Sequence, residues 1–216
     1  MRRYDAYKDS GVEWIGEIPE GWEIRALKRS VTLLTDKSGD DTLPFVGLEQ
    51  IESWTGKRLH AENQAVCAGN SLFAPMGTVL FGKLRPYLAK VYFIEADIAC
   101  STEFLPLYPN FYIGRYLQYA LLADGFIGLA DSSSYGTKMP RVNWEQIGTQ
   151  LLPIPSSDEQ EAIANYLDAK TSEIDELVAD CEREIELLKE YRKAIISEAV
   201  TKGLDPDAPI KDSGIE

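Results

Sequence analysis

The chain has 216 residues, 44% of them hydrophobic, which is enough for one good-sized domain plus an additional element. A formal net charge of −13 argues against a nucleic-acid partner unless positive potential is gathered locally, because phosphate binding requires it. No apolar run is long enough to cross a bilayer, and the opening MRRYDAY lacks a signal peptide's apolar stretch, so a cytoplasmic protein without membrane contact is expected. Cys67, Cys100 and Cys181 are far apart and odd in number, which fits reduced thiols better than a disulfide framework or a metal site.

Residues 1–21 form an N-terminal segment with most of the string KDSGVEWIGEIPEGWE, which runs from Lys8 to Glu23, and the chain closes on KDSGIE, residues 211–216. Five of six residues agree, so internal repetition is the first feature to explain. Trp14 and Trp22 are expected to strap this segment onto the following domain or onto the base of the later helix, and the tryptophans generally to be core.

Residues 22–155 read as mixed α and β. Asp40-Asp41 suggests a turn. Lys57, Arg58, Lys83, Arg85 and Lys90 face only Glu62 between Lys57 and Lys90, net +4, so a basic face on an acidic protein is conceivable. Val79 to Ile94 is rich in β-branched and aromatic residues and predicts two strands around a bend at Arg85-Pro86. Ile113, Tyr116, Leu117, Ala120 and Leu121 have helical spacing and predict about three turns ending near Asp124-Gly125. Asp131 to Asn143 is small, polar and punctuated by Gly and Pro, hence a loop, and Pro153 and Pro155 are expected to stop what precedes them.

The texture then changes. Ser156 or Ser157 can cap a helix whose first turn carries Asp158, Glu159 and Glu161, and nothing breaks it before Gly203 and Pro206. Residues 156–203 are therefore one helix on the order of 65 Å long at about 1.5 Å per residue, expected to project from a small domain, with 204–216 as a tail. Leu167, Ile174, Cys181, Leu188 and Ile195 recur every seven residues, flanked by Ile163, Leu177 and Tyr191 and interrupted by Lys170 and Glu184. A strict heptad asks for a partner helix in a left-handed coiled coil.

No catalytic constellation stands out. His60 is the single histidine, so a zinc site or a Ser/His/Asp triad has no footing, and no glycine pattern suits a phosphate cradle. No metal, catalytic residue or cofactor is assigned to this chain.

The strings KDSGVEWIGEIPEGWEIRALK, GTVLFGKLRPYLAKVYFI with CSTEFLPL, and LLPIPSSDEQEAIANYLDAKTSEIDELV with YRKAIISEAVTKGLDP resemble the specificity subunit of Type I restriction-modification systems over essentially the whole chain. That family joins two target-recognition domains, each followed by a long helix, with the opening motif recurring where the second half starts. The resemblance implies an α+β target-recognition domain followed by one long helix, a half-subunit that ends at the seam. It implies a homodimer whose helices pair antiparallel and whose two domains face inverted half-sites of double-stranded DNA. It also implies no chemistry in this chain: a modification subunit binds S-adenosylmethionine and methylates adenine, and a restriction/motor subunit cleaves.

Within that reading, Lys83, Arg85, Tyr87 and Lys90 are candidates for positioning on DNA, against the alternative that Tyr87 packs and the cations are merely solvated. Ser132, Ser133, Ser134, Tyr135, Thr137 and Lys138 form a loop suited to groove entry, and Arg141 either binds phosphate or caps the domain locally. The rival class is a coiled-coil interaction protein that occupies modification subunits as a decoy without productive DNA recognition.

Overall fold

The computed structural model describes residues 4–39, 42–59, 70–205, 207, 209 and 214. Asp40-Asp41, His60, Cys67 and all but Gly214 of the closing repeat lie outside them. Strands β1 (Tyr7–Asp9), β2 (Glu17–Pro19), β3 (Glu23–Ala26), β4 (Val31–Leu33) and β5 (Phe45–Val46) come first. They are followed by β6 (Ser71–Ala74), β7 (Val79–Gly82), β8 (Val91–Phe93), β9 (Ile98–Ser101) and β10 (Phe104–Pro109). Helices α1 (Gly114–Leu122), α2 (Asp124–Ser132) and α3 (Trp144–Ile147) precede β11 (Leu151–Ile154), after which α4 runs from Ser157 to Lys202. The fold is the expected α+β arrangement with a long C-terminal helix. By its internal contacts the chain divides into Met1–Asn165 and Tyr166–Glu216, so the first two turns of α4 belong to the globular unit.

Side-chain alternation on β7 explains how the globular unit is layered. β7 lies inside an antiparallel sheet of order β4-β10-β7-β8 and is buried throughout. Its Val79 and Phe81 enter one core with Leu117, Leu121 and Phe126 of the helices, whereas Leu80 enters a second core with Val46, Ile98, Cys100 and Phe104. A period of two sends neighbours to opposite faces, so one strand serves two cores. The second core is backed by the sheet β5-β9-β6, in which β5 runs parallel to β9. Phe81 and Phe126 meet edge to face with centroids 5.8 Å apart, a favoured aromatic geometry. Burial pushes the Cys100 thiol up to about 12, which leaves it a packing group rather than a nucleophile.

One helix is added to the sequence expectations, and two expectations are corrected. The helix begun at Gly114 stops at Leu122, but a new one starts at Asp124: Ala123 takes an extended ψ of 133° and re-aims the chain. Gly125, the second residue of this helix, lets it sit against the N-terminal segment, since a Cβ there would come within 2.5 Å of the Trp14 indole. Pro153 does not end a segment; it sits inside β11, opposite Ile24 of β3, in a two-stranded ribbon whose ladder tolerates a missing N–H. Trp54 is not core but 45% exposed.

The N-terminal strap is anchored at both expected places. Trp14 packs on the main core. The Trp22 Nε1–H donates to Glu159 Oε1 at 3.2 Å, on the first turn of α4. Glu159 also closes a capping box: its Oε2 accepts from the Ser156 hydroxyl at 2.9 Å and from the Ser156 N–H at 3.3 Å, and its own N–H points back to Ser156 Oγ at 3.4 Å. At the other end Gly203 adopts φ 80°, the left-handed C-terminal stop. Partial desolvation pushes the Glu159 carboxyl up, but the hydrogen bonds from Trp22 and Ser156 outweigh it and hold the group below the ordinary carboxylate range. A depressed folded pKa gives stability that is present above the unfolded pKa and lost as pH falls through the folded one. Acidification is therefore expected to shift Trp22 fluorescence in that low-pH window. Glu159→Gln should abolish this pH dependence; an unchanged acid transition in the variant would refute the assignment.

Candidate nucleic-acid interface

Two stretches that are distant in sequence, around Leu84 and around Arg141, are brought together. The backbone at Leu84 forms an antiparallel bridge with Arg141. The Arg85 N–H donates to the Pro140 carbonyl at 2.8 Å, and the Val142 N–H to the Lys83 carbonyl at 3.1 Å. The loop after α2 is itself a closed hairpin, since Tyr135 and Arg141 exchange both backbone hydrogen bonds at 2.9 Å. Gly136 makes this turn possible with φ 96°.

Arg85 and Ala89 are left-handed at φ 52° and 46°, and between them Pro86–Leu88 forms a short 3-10 turn with Pro86 at its start. The bend expected at Arg85-Pro86 is thus built by two non-glycine residues in an uncommon conformation. It leaves Tyr87 exposed, as the hairpin leaves Tyr135 and Met139 exposed. Lys83, Arg85 and Lys138 make no ion pair with another described residue.

Other candidates are committed elsewhere. The Lys90 ammonium donates to the Leu48 carbonyl at 2.7 Å, holding the Leu48–Gln50 turn rather than facing solvent freely. Arg141 makes a two-pronged pair with Glu103, Nε to Oε2 at 3.1 Å and Nη2 to Oε1 at 3.0 Å. Hydrogen bonding to that carboxylate, with its charge, raises the already high arginine pKa. Arg141 thus fixes the hairpin base to the β9–β10 turn, matching its local-cap alternative. Ser132 is the last residue of α2, not of the loop, and its hydroxyl and that of Ser133 donate to the Leu129 and Ala130 carbonyls at 3.0 Å. Ser134 immediately precedes the hairpin, with its N–H on the Asp131 carbonyl at 3.0 Å, and Thr137 lies in it, exposed beside Lys138.

On α4, Ile174, Leu177, Cys181, Leu188, Tyr191 and Ile195 are exposed, while Leu167 is half-buried. Ile163, half-buried, packs against the main core of the globular unit. Sequence reasoning missed Gln160, which is 2% exposed and accepts from the Ile113 N–H at 2.7 Å while donating to the Phe111 and Pro155 carbonyls, both at 3.0 Å. Among the described residues no cluster of three or more His, Cys, Asp or Glu could hold a metal ion, and no helix is long and apolar enough to cross a membrane.

The same arrangement recurs in solved proteins. The HsdS subunit from Thermoanaerobacter tengcongensis superposes with a TM-score of 0.61 over 91% of this chain and 53% of its own, at 22% identity. A chain from a study of complex assembly and conformational transition of the type I R-M system gives 0.68 over 90% and 52%, also at 22% identity. These likenesses define the fold. The family model for the Type I restriction modification DNA specificity domain matches residues 19–187, and the chain belongs to that family. Relatives include the type I restriction enzyme EcoDI specificity subunit of Escherichia coli, 28% identical over 55% of this chain and 27% of the relative. The StySPI specificity subunit of Salmonella potsdam is 23% identical over 86% and 44%. The chain spans half or less of the length of these curated relatives.

Proposed function

We propose that this chain is a DNA sequence-recognition element of a Type I restriction-modification complex, contributing target reading and no chemistry of its own. The observation that carries this reading is the junction of the Lys83–Tyr87 turn with the Tyr135–Arg141 hairpin. Its backbone pairing joins the segment that carries Lys83, Arg85 and exposed Tyr87 to the one that carries exposed Tyr135 and Lys138, on a protein whose net charge is −13. Cations would hold phosphates and the hairpin would enter a groove. The partners are double-stranded DNA, a modification subunit that carries S-adenosylmethionine and methylates adenine, and a restriction/motor subunit.

The exposed stripe on α4 is proposed to pair with α4 of a second copy. Charge favours the antiparallel alignment. Asp168, Glu173, Asp175 and Glu176 mark the acidic first half of the helix, and Lys189, Arg192, Lys193 and Lys202 the basic last part. Antiparallel pairing sets these against each other, whereas parallel pairing opposes acid to acid. The resulting twofold axis relates two recognition domains, which suits a bipartite, palindromic target.

Lys138→Ala and Arg85→Ala are each expected to weaken target binding by the assembled complex and to reduce the slope of log affinity against log salt by roughly one. Fluorescence anisotropy across a salt series measures both. Unchanged affinity and slope in both variants would remove this surface from the DNA interface.

A further inference from the structure

Three non-glycine residues among those described hold a left-handed backbone: Trp54 at φ 68°, Arg85 at 52° and Ala89 at 46°. They are not scattered. Arg85 and Ala89 bracket the turn that carries Tyr87, and the Trp54 N–H donates to the Ala89 carbonyl at 3.3 Å. All the non-glycine left-handed backbone described in this chain therefore lies in one patch, and such conformations persist only where the surroundings impose them.

The surroundings of Trp54 do so. Its loop is closed by the Glu52 N–H on the Lys57 carbonyl at 3.0 Å and the Leu59 N–H on the Gln50 carbonyl at 2.7 Å. Inside the loop the Thr55 hydroxyl donates to Glu52 Oε2 at 2.9 Å. Its far side is seated on α1, where a Cβ on Gly56 would come within 2.5 Å of Gln118. A firmly held loop thus offers a large aromatic side chain at its tip. Glycine would suit the backbone better, and a half-exposed indole forgoes the burial that usually favours tryptophan in a fold. Neither backbone nor core accounts for the residue, so its use lies outward.

The Trp54 backbone is joined through the Ala89 carbonyl to the turn that carries Arg85 and Tyr87, and that turn is joined to the hairpin by the Arg85–Pro140 hydrogen bond. We propose that Trp54 is a specificity-determining residue whose indole enters a groove of the DNA target. There its apolar face meets a thymine methyl and its single N–H donor meets a base-edge acceptor, while Arg85 and Lys138 hold the flanking phosphates. Fixing the loop in advance removes the ordering cost of reading with a mobile side chain. This proposal rests on the DNA-recognition reading and adds a third reading segment, residues 51–58, to the turn and the hairpin.

Trp54→Gly separates structure from recognition, because glycine relieves the backbone while deleting the indole. The full chain, assembled with its modification subunit, is exposed to a pool of randomised duplexes, and the retained DNA is sequenced for wild type and variant. The expected result is a melting temperature equal to or above wild type and a preference weakened about tenfold at one or two base pairs, with the other positions intact. Several results would overturn the proposal. A lowered melting temperature makes Trp54 a structural residue, and failure of the variant to assemble makes it a contact for the modification subunit. An identical selected sequence with equal stringency removes it from recognition. If wild type itself selects no sequence, the underlying DNA-recognition reading fails as well.

Discussion

Gln160→Ala is expected to destabilise the globular unit by about 3 kcal/mol, because it deletes one amide that serves three buried or partly buried backbone groups. The Ile113 N–H loses its acceptor, and the Phe111 and Pro155 carbonyls lose their donor, in a site where Gln160 is only 2% exposed. Water cannot replace those partners without entering the core beside Ala164, which is 1% exposed. The loss is a large fraction of the roughly 5–15 kcal/mol that holds a typical domain folded. Gln160→Glu sharpens the test. It keeps an oxygen for the Ile113 N–H but turns a carboxylate oxygen towards two carbonyls, so it should be at least as harmful as alanine. Urea denaturation of both variants measures this; a midpoint within error of wild type would show that the three hydrogen bonds contribute nothing net.

The second large effect is expected on association. Leu177→Glu combined with Leu188→Glu places charges on two exposed positions of the α4 stripe, which are 64% and 57% exposed in the single chain. Each leucine buried in a dimer contributes about 2 kcal/mol, and the twofold counts each twice, so the pair costs ~8 kcal/mol before any charge is desolvated. That weakens association by more than five orders of magnitude, at about 1.4 kcal/mol per factor of ten. Sedimentation at micromolar concentration should give twice the chain mass for wild type and one chain mass for the variant, with the melting of the globular unit unchanged. A variant that keeps the doubled mass would show that the copies meet elsewhere.

Local chemistry made α4 legible in the sequence. A serine cap, an acidic first turn and a terminal glycine each act over a few residues of chain, and the helix starts and stops where those residues stand. The strands around Arg85-Pro86 were legible for the same reason, through β-branched and aromatic residues on either side of a proline. What escaped depends on residues distant in the chain. Pro153 lies within a strand because β3 offers it an edge, and Lys90 is occupied because the Leu48 carbonyl lies 2.7 Å away. Gln160 looked like one more polar residue in a charged turn until Phe111 and Ile113 were set against it. For Trp54 a partial signal was present: Ser53-Trp54-Thr55-Gly56 is a turn-like run that gives little reason to bury its tryptophan. The meeting of the Lys83 turn with the Tyr135 hairpin had no local signal at all, since backbone hydrogen bonds between remote segments do not depend on side-chain type.

The most direct measurement is a map of methylated adenines on a plasmid treated with the modification subunit and labelled S-adenosylmethionine, with and without this chain. Methylation at one symmetric, interrupted sequence only when the chain is present is the expected result, and it would also give the target. Methylation that is independent of the chain, or a stable complex with the modification subunit that leaves every site unmodified, would contradict a recognition role and favour a decoy that occupies the modification subunit.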